Sequence, residues 1–217
     1  MLRALHARYQ RHRFGGLFLT LLFTLAGYPL LKTLGFGLAA LEVLLIVNLL
    51  AAAASVERER GFRTLLGLGL AFLILRCLQM ILGVRVLLPL AEAVWVLACL
   101  LALVSAARHA LGTGAVDGER IFAALNVYLL AGLMFSVGYW MLDQVWPNSF
   151  VTASAAGLEL PQAVYFSFVT IATLGYGDIV PASDAARGLA ILEAVGGQMY
   201  IAVLVARLVS SYARQPE

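Results

Sequence analysis

Thr173-Leu174-Gly175-Tyr176-Gly177, followed by Asp178, sit between two apolar stretches, and the chemistry open to them is that of their backbone. A strand that turns successive carbonyls to one side must alternate right- and left-handed residue conformations. An L-residue resists the left-handed one, and glycine accepts it. Gly175 and Gly177 occupy alternate positions, so the carbonyls of Thr173, Leu174, Gly175 and Tyr176 can aim at one axis. Four such strands around a pore form stacked oxygen rings that replace the water shell of a potassium ion. Thr173 adds its hydroxyl as a further ligand at one end. Leu174 and Tyr176 then point away from the axis and brace the strand. The expected activity is passive: potassium is a permeant ligand, no cofactor is needed, and no residue is catalytic, so the chain is not an enzyme.

The elements around this segment are membrane elements. Of 217 residues, 62% are hydrophobic and only 12% charged, too much apolar surface for a soluble domain to bury. Cys77 and Cys99 lie within apolar stretches and read as small core residues. The net charge of +3 does not indicate a nucleic-acid partner, because the arginines cluster at the ends of hydrophobic segments. A span needs about 20 apolar residues to cross a ~30 Å hydrocarbon core. Segments 15–34, 36–55, 64–82, 85–107, 121–142 and 187–211 qualify. The stretch 161–172 is too short, because twelve helical residues cover only ~18 Å; it is expected to dip in and return. The fold class is therefore an all-α integral membrane protein with six transmembrane helices, a re-entrant pore helix and a filter loop.

Basic residues set the orientation. Arg3, Arg8, Arg11, Arg13, Arg58, Arg60, Arg63, Arg108, Arg120, Arg207 and Arg214 fall on one side, against Lys32, Arg85 and Arg187 on the other. This bias puts both termini in the cytoplasm and the glycine motif toward the outer face. Asp143, Glu159, Asp178 and Asp184 then rim the outer mouth, either concentrating cations or simply solvated. Pro161 suits the first turn of the short helix, whose C-terminal end carries roughly half a negative charge and would favour a cation in a cavity beneath the filter. Tyr165, Phe166 and Phe168 form an aromatic layer behind the strand.

The stretch Tyr165-Phe166-Ser167-Phe168-Val169-Thr170-Ile171-Ala172-Thr173-Leu174-Gly175-Tyr176-Gly177-Asp178 resembles the pore helix and selectivity filter of the tetrameric potassium channels, in their bacterial and voltage-gated-type forms. The resemblance runs from Ile121 through Ser211. It implies a potassium-selective channel subunit acting as a homotetramer, with K+ held by Thr173, Leu174, Gly175 and Tyr176, and with Tyr165 and Asp178 supporting the filter. Leu174 stands where Val or Ile is usual, and Ala172 where a second Thr is common; a weakly selective cation channel is the alternative these departures open. A non-conducting or regulatory pore-like subunit is a further alternative.

In the last span Gly196-Gly197 reads as a gating hinge by resemblance, or as a small-residue packing contact. Gln198 either faces the cavity or bonds a neighbouring helix. Ile201 and Val205, three and seven positions on, share its face and would line the cavity as an apolar ring that gates by dewetting. Glu193 is an ionisable group at filter depth, costly unless paired or wet; it is expected to hydrogen-bond behind the filter, to the pore helix or the Tyr176 region.

The four preceding spans look like a voltage sensor without its charges. Between Arg85 and Arg108 the fourth span has no Lys or Arg, and one charge yields only about 2.3 kcal/mol per 100 mV, so steep voltage gating is not expected. Glu42, Arg76 and Glu92 fall at a common depth, roughly 10 Å below the outer surface at ~1.5 Å per residue. They are expected to form an intramembrane charge cluster that acts as a staple or a proton sensor. Asn48 reads as an interhelical hydrogen-bonding residue. The expected layout is a basic N-terminus (1–14), a four-helix sensor-like domain (15–108), a linker (109–120), a pore domain (121–213) and a short tail (214–217). The partners expected are further copies of the chain and membrane lipids, with no nucleic acid and no ligand-binding domain. The expected location is a prokaryotic inner membrane.

Overall fold

The computed structural model describes residues 13–56, 59–84, 87–112, 117–152 and 157–212. Its long elements are all helical: α1 (Arg13–Thr33), α2 (Gly37–Ser55), α3 (Glu59–Leu82), α4 (Leu87–Ala110), α5 (Gly118–Val145), α6 (Leu160–Ile171) and α7 (Asp184–Tyr212). Two short strands, β1 (Phe150–Val151) and β2 (Val180–Pro181), pair antiparallel with Phe150 opposite Pro181 and Val151 opposite Val180. Among the described residues four helices are long and apolar enough to cross a membrane: Glu59–Leu82, Leu87–Ala110, Gly118–Val145 and Asp184–Ser210. α1 and α2 contribute the shorter apolar stretches Arg13–Tyr28 and Val43–Ser55.

Several helices run past the apolar limits read from sequence. α3 begins at Glu59 rather than 64, because Glu59 and Arg63 form an (i, i+4) pair that supports a polar first turn. α7 begins at Asp184 rather than 187, where Ser183 Oγ accepts the Ala186 amide as an N-cap. Hydropathy marks the membrane-facing part of a helix, while backbone hydrogen bonding continues until a cap stops it.

The chain divides into two compact units, Met1–Leu130 and Ala131–Glu217. In the first, successive helices α1 to α4 pack on one another around Leu17, Leu21, Phe72, Ala91, Trp95, Ala98 and Cys99. Cys99 is buried and Cys77 exposed, so only one of the two is a core residue; Cys77 falls on an outward face of α3. Polar ties cross the helices. Asn48 Nδ2 donates to Thr24 Oγ1 at 2.7 Å, Ser55 Oγ donates to Arg13 O, and Asn126 Nδ2 donates to Phe14 O.

The second unit is built around Tyr139, Phe150, Leu158, Ala163, Phe166, Ile179 and Ala186. Tyr139, Phe150 and Phe166 meet edge-on at centroid separations of 5.0–5.5 Å, an aromatic geometry worth roughly 0.5–1.5 kcal/mol per pair beyond buried area. The β1–β2 pair closes over this cluster, with Ala182 and Ser183 amides both donating to Ser149 O. Asp143, expected on an acidic rim, is instead only 5% exposed. Its carboxylate accepts the amides of Ser149 at 3.0 Å and Leu158 at 2.8 Å. It ties the start of the loop to its end. Gly157, at φ +84°, brings its Cα close to this carboxylate, where a Cβ would stand 2.9 Å from Oδ2.

Candidate functional site: a half-helix and an alternating strand

The short helix α6 is started by Pro161 in its first turn and by the Gln162 side chain, which accepts the Glu159 amide at 2.9 Å. Its end is defined residue by residue. Ala172, Thr173 and Leu174 amides donate to the carbonyls of Phe168, Thr170 and Val169 respectively. The last carbonyl, of Ile171, receives Gln198 Nε2 from α7 at 3.4 Å. Carbonyls that a helix end would leave orphaned thus acquire partners, one of them from the neighbouring long helix.

Beyond that end the backbone alternates. Thr173 (φ 59°), Gly175 (φ 56°) and Gly177 (φ 81°) are left-handed, whereas Leu174 and Tyr176 between them are not. Nothing lies within 4 Å of where a Cβ on Gly175 or Gly177 would stand, so glycine is required there by conformation and not by space. Thr173 holds the same conformation with a β-branched side chain, at a cost of order 1–3 kcal/mol. That strain sits at the junction between helix and strand.

Leu174 and Tyr176 are 57% and 67% exposed. Within the single chain both side chains are largely exposed, while α6 buries Phe166, Ser167 and Val169. Tyr165 interacts with Asp178, linking the helix to the far end of the strand. Of the expected aromatic layer, Phe166 belongs to the core cluster, and Phe168 fills the notch left by Gly132, where a Cβ would stand 2.7 Å from its ring.

Behind α6 lies the buried polar centre of this unit. Glu193, 1% exposed, receives Tyr139 Oη at 2.6 Å on Oε2 and contacts Ser167 Oγ at 2.5 Å through Oε1. Ser167 Oγ also lies 2.6 Å from Gly132 O. Glu193 therefore meets the short helix and α5, and no bond to Tyr176 is present. One turn on, Gly197 lets α7 approach the end of α6: a Cβ there would stand 2.5 Å from Ile171 Cγ1, whereas one on Gly196 meets nothing. α7 is continuous through both glycines. Gly197 is thus a close-packing glycine, because it shares a face with Glu193 four residues earlier. Gln198, Ile201 and Val205 are all exposed in the single chain.

In the other unit Arg76 Nη1 and Glu92 Oε1 lie 3.9 Å apart with both side chains largely buried; the Glu42 side chain lies outside the described residues. Sequence reasoning missed Tyr139, Ser167 and Gly132. The signal was present on α5, where Gly132, Ser136 and Tyr139 recur at i, i+4 and i+7 on one face.

Residues 122–214 match the family model described as ion channel. The chain is 32% identical over 89 residues to two pore potassium channel c of Oryza sativa subsp. japonica, covering 41% of this chain and 18% of that protein. It is 29% identical over 89 residues to the inward rectifier potassium channel Kirbac3.1 of Paramagnetospirillum magnetotacticum, covering 41% of this chain and 28% of that protein. The chain thus spans less than a third of the length of these curated relatives. No solved structure matches it significantly. The half-helix, the alternating strand and α7 all lie within the matched stretch, which is similar to ion channels, and four of the described helices are long and apolar enough to cross a membrane.

Proposed function

We propose that the chain is one subunit of a homotetrameric potassium-selective channel, conducting K+ passively through a filter formed by Thr173–Gly177. The observation that carries this reading is the alternation of left-handed residues at 173, 175 and 177 directly after a twelve-residue helix. That backbone presents successive carbonyls to one side, and one chain supplies one of the four strands needed to encircle an ion. Both similar proteins carry potassium channel in their names. Exposed Leu174, Tyr176, Ile191, Leu192, Val195, Met199 and Val203 supply apolar surface for neighbouring subunits and lipid.

The full architecture we propose has six spans, α1–α5 and α7, with α6 re-entrant. Both termini are cytoplasmic, as the arginine bias supports, in a prokaryotic inner membrane. The pore domain is 121–213, behind a sensor-like domain at 15–108. α4 has no Lys or Arg between Leu87 and Ala107, so voltage dependence is shallow. Gly196, helical and uncrowded, is the better placed of the two glycines to act as a hinge. Gln198, Ile201 and Val205 line the cavity below.

Reconstitution into planar bilayers with KCl on one side and NaCl on the other tests this. A reversal potential near that of K+ supports the reading. One near zero makes the chain a weakly selective cation channel, and folded protein without current makes it a regulatory subunit.

A further inference from the structure

Protons can be counted around Glu193. Four close oxygen–oxygen contacts link its neighbours: Tyr139 Oη to Glu193 Oε2 at 2.6 Å, Glu193 Oε1 to Ser167 Oγ at 2.5 Å, Ser167 Oγ to Gly132 O at 2.6 Å, and Ser136 Oγ to Gly132 O at 2.7 Å. Each hydroxyl carries one proton, and a carbonyl oxygen carries none. Gly132 O can only accept, so the protons of Ser167 and Ser136 are both committed to it. Tyr139, fully buried with Glu193 as its side-chain bond, gives its proton to Oε2. Three hydroxyl protons thus serve three contacts. The fourth, between Glu193 and Ser167, has no proton left unless the carboxyl supplies it.

We propose that Glu193 is held as a neutral carboxylic acid whose proton, on Oε1, is donated to Ser167 Oγ. The bonds then run one way, from Tyr139 to Glu193 to Ser167 to Gly132, and close a ring through α5, α7, α6 and back to α5. Every polar atom in the ring is satisfied, which is the condition under which a buried network is stabilising. A neutral acid also escapes the cost of holding a charge at membrane depth. The groups facing Glu193 are Tyr139 from α5 and Ser167 from α6; among the described residues no Lys, Arg or His is paired with it.

The proton therefore works as a fastener. Loss of it leaves Ser167 with one proton for two acceptors, the carboxylate and Gly132 O. The carboxylate wins, since bonds to charged acceptors are stronger, and the Ser167 bond from α6 to α5 is lost while the one to α7 remains. Glu193 is a positioning residue for the helix that carries the strand at 173–177. The proton assignment stands on hydrogen-bond geometry alone; only its consequence for permeation rests on the proposed channel function.

Infrared difference spectroscopy of the full chain in lipid at neutral pH, comparing native protein with Glu193→Gln, reads the proton directly. The expected result is a protonated-carboxyl C=O band present in the native protein and lost in the variant. Absence of any such band attributable to residue 193 overturns the proposal. Where Glu193→Gln does not fold, Tyr139→Phe decides: removing the bond to Oε2 should move the band to higher frequency, and an unmoved band overturns the assignment. Neither reading requires current, so a non-conducting protein that shows the band retains the proton and loses only the link to permeation.

Discussion

Two buried glutamates, Glu92 in the first compact unit and Glu193 in the second, are accommodated in opposite ways. Glu193 has a partner on each oxygen, whereas Glu92 has Arg76 at 3.9 Å and an Oε2 that bonds nothing. The contrast extends to their surroundings. Asn48 Oδ1, Trp95 Nε1 and Asn126 Oδ1 are buried without a hydrogen-bond partner, and all belong to the unit ending at Leu130. In the other unit the buried polar side chains of Ser136, Asp143, Ser149, Ser167 and Glu193 are all bonded. An unsatisfied buried group costs about 1–3 kcal/mol. Among the described residues, the unit with the alternating strand thus satisfies its buried polar side chains, while the four-helix unit keeps polar atoms that a rearrangement could satisfy. In the proposed channel the filter would need such fixed geometry, and a sensor-like domain an alternative state of similar energy.

The largest effect that would break this comparison is at the strand. Gly175→Ala or Gly177→Ala forces a Cβ into the left-handed conformation at roughly 1–2 kcal/mol per residue, repeated in every subunit of the proposed tetramer. Potassium flux into liposomes should fall by at least tenfold; undiminished flux would remove the strand from the conduction path. Next is Asp143→Ala, which strips two amides of a charged acceptor, each such bond being worth about 1.5–3 kcal/mol. A clear drop in thermal stability is expected, and an unchanged melting temperature would return Asp143 to the solvated rim.

A smaller effect separates the two glycines of α7. Gly197→Ala should destabilise by about 1–3 kcal/mol through overpacking on Ile171. Gly196→Ala should be neutral or stabilise by up to ~1 kcal/mol through helix propensity. Equal effects would mean that α7 does not approach α6 as described. The smallest lies in the front unit: Asn48→Ala should cost about 0.6 kcal/mol, the usual scale for a hydrogen bond between membrane helices. A loss of several kcal/mol there would show the front unit to be as tightly specified as the other.

Much of the strand was legible because its conformation is a property of residue type. Alternate glycines permit alternate handedness wherever they occur, and Pro161 starts a helix by its own covalent geometry. Helix α5 and its partners were less so. Ser167 is an ordinary helical serine until Gly132 brings α5 close and Glu193 arrives from α7, and that convergence is a tertiary event. Asp143 read as a rim charge because it follows a span, yet the loop folds the amides of Ser149 and, after the turn at Gly157, Leu158 onto it. Hydropathy placed the helices, but their polar ends depend on caps such as Ser183 and pairs such as Glu59–Arg63.

The central claim is that four copies of the strand at 173–177 surround potassium ions. Structure determination of the full chain in lipid with K+, and with Tl+ as an electron-dense substitute, tests it most directly. The account predicts four chains about one axis with a row of ions between the carbonyls of Thr173 and Gly177. Strands 173–177 lying away from a common axis, or an axis without ions in saturating K+, would contradict it.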